Sequence, residues 1–375
     1  MVSSSIFFVN KFANINWFIV FIMSLIAFIG FAMLISASGG SFSPWATPQI
    51  IRFALAFAIM LIVAVMPMRI LLDYAYFFYF GCVIVLIAVD VMGHTGMGAQ
   101  RWLRFGGVGI QPSEFTKLAV ILALARYFHH IQPEDIKRLS FMIIPAILLF
   151  IPAALIYRQP NLGTTVIVLA VGVIMGFLAG IRWRYFIGVV VTAIAATPVA
   201  WYFMHDYQKT RVLTFLDPQK DPLGAGYNIL QSMIAIGSGG LFGKGYMQGS
   251  QNQLNFLPEK QTDFIFTMYA EEMGFLGGIM LLFLYFTLLL SGMIVASRSR
   301  STFGAMMAAG VTALLFIHII INVGMVMGLL PVVGVPLPLM SYGGSITMTA
   351  VFAVGLMLNA WVHRDQMPGR LTPNL

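Results

Sequence analysis

Ten apolar runs follow one another between residues 17 and 362, and they constrain what this chain can fold into more than any other feature. They fall at about 17–37, 49–66, 74–92, 114–128, 142–157, 163–180, 185–203, 264–292, 305–322 and 344–362. A helix crossing a bilayer needs roughly 17 to 25 largely apolar residues. The runs are continuous rather than alternating, so helices and not barrel strands would cross. Charged residues make up 9% of the chain and hydrophobic ones 59%, at a mean hydropathy of +0.90. A soluble globule carries about 25% charged residues. The expected fold class is therefore all-α: a polytopic membrane protein of about ten transmembrane helices. It forms one domain over 1–375, with a large extracytoplasmic loop, 204–263, between helices 7 and 8. The first run ends in Ser36-Ala37-Ser38, which looks like a cleavage site, but its apolar core exceeds the roughly 7 to 15 residues of a signal peptide. It reads as an uncleaved span.

The single cysteine, Cys82, allows no intrachain disulfide and reads as a small buried hydrophobe. Six histidines show no metal-ligand spacing, and His318, alone on an apolar run, reads as a packed residue. The net charge of +8 does not point to nucleic acid, because the basic residues stand in short connections beside the spans. Anionic headgroups and phosphates suit them better. An even number of spans puts both ends of the chain on one side. Arg182, Arg184, Arg298 and Arg300 in short turns make that side cytoplasmic, since much of the basic content of 204–263 lies too far from a span to count.

Three unusual segments then share the outer face: 93–113, 204–263 and 328–344. The first reads as a tight glycine loop around Arg101, Trp102 and Arg104, fit for a phosphate and an apolar face and equally for interfacial anchoring. Pro112 suits a first helical turn, and Glu114 and Lys117, three apart, share a face and fit either an ion pair or a substrate contact. Arg158, in the polar break 158–163, is a further phosphate ligand or part of a plain turn. The long loop holds a possible amphipathic element at 227–236, a glycine cluster at 237–245 and amides Gln248, Gln251, Asn252, Gln253 and Asn255. Amides match sugar hydroxyls and equally a soluble loop. The proline-rich stretch 331–345 cannot be regular helix and reads as re-entrant, lining a groove, or as a turn.

Asp263 stands where the long loop meets the eighth run, and a carboxylate at such a boundary is either used or caps the helix. It is the expected catalytic base. Glu271, eight residues on, lies about 12 Å along a helix, beyond the roughly 5 Å of a retaining carboxylate pair. One base and inversion of configuration fit better, unless Glu259 folds back.

Together the stretches GAQRWLRFGGVGIQPSEFTKLA (98–119), RQPNLGTT (158–165), DPLGAGYNILQSMIAIGSGGLFGKG (221–245), FLPEKQTDFIF (256–266) and GLLPVVGVPLPLMSYGGS (328–345) resemble the SEDS family, of shape, elongation, division and sporulation, in its RodA-type branch. The resemblance covers nearly the whole chain. It implies a peptidoglycan glycosyltransferase polymerising lipid II on the outer face of the inner membrane, with a class B penicillin-binding protein as partner within the elongation machinery. It places the essential carboxylate at Asp263, and the substrate-binding set is Arg101, Glu114, Lys117, Arg158, Lys244, Glu259, Lys260 and Ser341. Lys117, Arg101 and Arg158 would stabilise the departing pyrophosphate. No metal-ligand cage is evident, but a divalent cation, Mg or Mn, would come in through the phosphates. A flippase for the same lipid, or a noncatalytic scaffold, would use many of the same features.

Overall fold

The computed structural model describes residues 11–92, 94–96, 99–105, 108–132, 134–204, 206–220, 224–250 and 259–367. Its helices are α1 (Trp17–Ala37), α2 (Ala46–Val65), α3 (Met68–Met92), α4 (Pro112–His130), α5 (Ile143–Arg158), α6 (Leu162–Leu178), α7 (Trp183–Phe203), α8 (Asp206–Leu216), α9 (Ala225–Ser238), α10 (Ile265–Arg298), α11 (Thr302–Val326) and α12 (Gly344–Val362). All except α8 and α9 coincide with the apolar runs, and α9 occupies the expected amphipathic stretch. Seven of the described helices are long and apolar enough to cross a membrane. The chain is a multi-pass membrane protein.

Local chemistry sets several helix starts. Asn16 caps α1 by accepting from Ile19 N, Asn161 caps α6 by accepting from Thr164 N, and Ser301 caps α11 by accepting from Gly304 N. Pro112 opens α4, as a residue that needs no helical N–H partner should.

Helix α11 is the centre of the bundle, packing on α4, α6, α10 and α12, while α2 lies along α12. Helix α4 carries Glu114, Lys117 and Arg126 and falls outside the hydropathy criterion, yet most of its residues are buried. Surrounded by protein, it needs no lipid-facing stripe. The outward faces keep large apolar side chains such as Phe21, Phe28, Phe283 and Phe286 in the open, as lipid requires. With lipid as apolar as leucine, close packing and interhelical hydrogen bonds hold such a bundle together. At one end Lys11 Nζ lies 2.9 Å from His363 Nε2, which brings a residue shortly before α1 against the end of α12.

Two features depart from the sequence expectation. The segment expected as a glycine loop contains an antiparallel three-stranded meander, β1 (His94–Gly96), β2 (Ala99–Phe105) and β3 (Val108–Ile110). Strands β2 and β3 pair through Leu103 with Ile110 and Phe105 with Val108. The apolar and aromatic residues of Trp102–Phe105 favour strand, a propensity outweighed in the sequence reading by the glycines around them.

Helix α10 is also broken, at Gly274 (φ 70°, ψ −168°). The glycine cluster fills the gap: Lys244 N and Gly245 N donate to Glu271 O and Glu272 O, and Phe275 N and Leu276 N donate to Gly240 O and Leu241 O. A Cβ at Gly274 would fall 2.2 Å from Gly243 N. Substituting Gly274 with Ala should therefore cost well over the roughly 1–3 kcal/mol of a strained backbone position. A thermal midpoint indistinguishable from wild type would show that this insertion does not hold the break.

Candidate functional site

The segments 93–113, 204–263 and 328–344 converge on one cavity of about 330 Å³. The meander contributes Arg101 and Trp102, the N-cap of α4 contributes Gln111 and α4 itself Glu114 and Lys117, and the start of α6 contributes Asn161 and Thr164. Glu259, Thr262 and Asp263 come from the end of the long loop, His318 from α11, and Val333–Pro336 with Tyr342 and Gly343 from the proline-rich stretch. That stretch is irregular backbone, as its prolines require. It survives because protein covers it: Leu337 and Met340 are fully buried, and Tyr285 Oη donates to Pro338 O at 2.6 Å.

Asp263 is partly exposed on this cavity. Helix α10 begins with Phe264, not Asp263, as its N-cap residue. A Cβ at Gly334 would lie 3.5 Å from Asp263 Oδ2, which places the re-entrant segment directly against the carboxylate. Gly334 has φ 71°. Alanine fits there in space but not in backbone conformation, at a cost of roughly 1–2 kcal/mol. If that strain reaches the carboxylate, Gly334→Ala should slow turnover by up to about tenfold. Steady-state kinetics with an unaltered rate would show that the segment does not set the acid's position.

The backbone beneath Asp263 is tied down at each residue. Gln261 O accepts from Tyr342 N at 2.8 Å, Thr262 O from Ser341 Oγ at 2.6 Å, and Asp263 O from Asn322 Nδ2 at 2.8 Å. Asn322 Nδ2 also donates to Val335 O at 2.7 Å, and Gln49 Nε2 donates to Ser341 O at 2.9 Å. Glu259, at φ 55°, accepts from Thr262 Oγ1 at 3.1 Å through Oε2.

A buried polar triad borders the cavity. Lys117 Nζ donates to Glu114 Oε1 at 2.8 Å and lies 2.9 Å from His318 Nε2. His318 Nδ1 is 2.8 Å from Leu314 O, a carbonyl that only accepts, so Nδ1 carries the hydrogen and Nε2 accepts from the lysine. The Lys117 and Glu114 side chains are 2% and 7% exposed, too little for a full solvent-facing charge. Glu114 Oε2 is buried with no hydrogen-bond partner among the described residues.

Of the residues expected from sequence, Arg101, Glu114, Lys117, Glu259 and Asp263 line the cavity. Four others do not. Arg158 is exposed and does not line the cavity, while the backbone after it serves Arg101, whose Nε donates to Gln159 O at 3.0 Å and whose guanidinium also reaches Pro160 O. Lys244 pairs with Glu271 Oε1 at 2.7 Å and donates to Ser250 Oγ, which makes it a tie between the loop and α10. Lys260 is buried outside the cavity lining, and burial pushes its pKa down. Ser341 is buried and spends its hydroxyl on Thr262 O. Of the amides, Gln248 is exposed away from the cavity, and Gln251, Asn252, Gln253 and Asn255 lie outside the described residues, as does the Arg104 side chain. His318, Asn322 and Gln49 were not expected at the site. The signal for the first two was two polar residues one turn apart in an otherwise apolar helix.

Comparison with known proteins gives a consistent result. The family model of FtsW, RodA and SpoVE, described as cell cycle protein, matches residues 16–366. Peptidoglycan glycosyltransferase MrdB of Escherichia coli is 45% identical over 339 residues, 90% of each chain. A chain of the structure described as "Structural coordination of polymerization and crosslinking by a peptidoglycan synthase complex" superposes with a TM-score of 0.82 at 29% identity, covering 94% of this chain and 99% of that one. The rod shape determining protein RodA of Thermus thermophilus gives 0.68 at 28% identity, over 94% and 98% of the two chains.

Proposed function

The chain belongs to the FtsW, RodA and SpoVE family of cell cycle proteins, and from that premise we propose that it is a peptidoglycan glycosyltransferase using Asp263 as its general base. It polymerises lipid II into glycan strands. The observation that carries this reading is Asp263, partly exposed and with its backbone anchored, on a cavity assembled from all three outer segments. The hydroxyl of an acceptor sugar gives its proton to the Asp263 carboxylate as its oxygen bonds the anomeric carbon of the donor. The bond from that carbon to the polyprenyl pyrophosphate breaks, and the electron pair leaves on the phosphate oxygen. A single base acting on the face opposite the leaving group inverts the configuration.

Arg101 is the guanidinium at the cavity suited to the leaving pyrophosphate. Lys117 serves less directly, because Glu114 balances its charge. A divalent cation would arrive on the phosphate oxygens. All ten long apolar-run helices cross the inner membrane within one domain, with both ends of the chain cytoplasmic and the cavity open to the outer face. A class B penicillin-binding protein cross-links the emerging strand as part of the elongation machinery. Purified chain with that partner, freed of other polymerases and given lipid II, should make polymer. Transport of lipid II without polymer would instead support a flippase.

A further inference from the structure

We infer that Ser341 and Asn322 are positioning residues for this reaction, acting through the backbone of the Asp263 turn and not on substrate. The inference rests on Asp263 being the general base. Residues 261–263 precede the first turn of α10, so their carbonyls have no place in its ladder and must be satisfied from outside. They are satisfied in succession by Tyr342 N, Ser341 Oγ and Asn322 Nδ2, donors that come from two separate parts of the fold.

Each donor is itself braced. Ser341 Oγ accepts from Leu337 N at 2.8 Å, and Asn322 Nδ2 holds Val335 O as well as Asp263 O. Ser341 and Asn322 are 1% and 0% exposed and neither lines the cavity, which leaves them no direct contact with a sugar. What they set is where the carboxylate stands. A misplacement of about 1 Å in a catalytic group can cost about 10² in rate. Through this clamp the central helix α11 and the re-entrant segment determine the position of a residue that belongs to neither.

The test compares Ser341→Ala and Asn322→Leu with wild type in the full chain with its partner. It measures amide hydrogen exchange over residues 259–264 together with kcat and KM for lipid II polymerisation. Exchange at the turn should rise about fivefold in Ser341→Ala and at least as much in Asn322→Leu, the scale of losing one net hydrogen bond. The value of kcat should fall by about tenfold and about 10²-fold respectively, with KM within about twofold of wild type. A turn that exchanges as in wild type, or an unchanged kcat, overturns the inference. So does a rise in KM at constant kcat, which would mark a substrate contact. Should Asn322→Leu fail to fold, Ser341→Ala, which deletes one oxygen, decides alone. Failure of the catalytic reading itself would show separately, as polymer made at the normal rate by Asp263→Asn, with the exchange result unaffected.

Discussion

Asp263→Asn should lower the rate of glycan polymerisation by about 10² to 10⁴, the usual contribution of a positioned general base. The substitution removes the negative charge and the proton-accepting oxygen while keeping the shape. Because Phe264, not Asp263, is the N-cap residue of α10, the helix start should survive the change. Fold, expression and partner binding should therefore match wild type. Purified variant and wild type supplied with lipid II at equal concentration, read by the length and amount of glycan, decide the matter. Polymer at the wild-type rate would remove Asp263 from the mechanism and leave Glu259, the nearest carboxylate in the same turn lining the cavity, as the residue to examine next.

The second large effect concerns the triad. Lys117→Met should destabilise the protein by roughly 3–5 kcal/mol, because it leaves the Glu114 carboxylate buried without its cation. The lost partner matters more than the pair itself, since replacing both members of a buried ion pair with apolar or neutral groups is often neutral. Lys117→Met combined with Glu114→Gln should therefore recover most of the thermal midpoint. Turnover should not return with it, if the lysine also serves the cavity that it borders. Recovery of both would assign the triad to stability alone, and a single variant as stable as wild type would show that the pair is not buried as described. Thermal denaturation and polymerisation rates on the same three proteins separate these outcomes.

The sequence carried the architecture because lipid simplifies the folding problem. Backbone polar groups in a membrane have to be satisfied within a helix, so the length and position of apolar runs translate directly into helices. Even α4 was legible as a run, although its charged residues place it outside a strict hydropathy criterion. Counting spans put the segments 93–113, 204–263 and 328–344 on one face, and they do meet at one cavity. Asp263 stood out because a carboxylate at a membrane boundary has few reasons to be there. The Glu114 and Lys117 pair followed from helical spacing alone.

Spacing along the chain does not say which way a side chain faces or what meets it across a fold. Arg158 and Lys244 look as suitable for phosphate as Arg101, and only packing shows one exposed, one tied to Glu271 and one at the cavity. The glycine cluster read as loop turned out to fill the break in α10, through hydrogen bonds with residues about thirty positions away. Residues such as Asn322 and Gln49 act on backbone 59 and 292 positions distant. Hydrophobicity is a local property that one-dimensional order preserves, so the chain's own residues determined that it is a helical membrane protein with an acid where a polar loop meets an apolar run. Hydrogen-bond partnership is directional and nonlocal, and only the tertiary structure could decide which polar groups hold that acid in place.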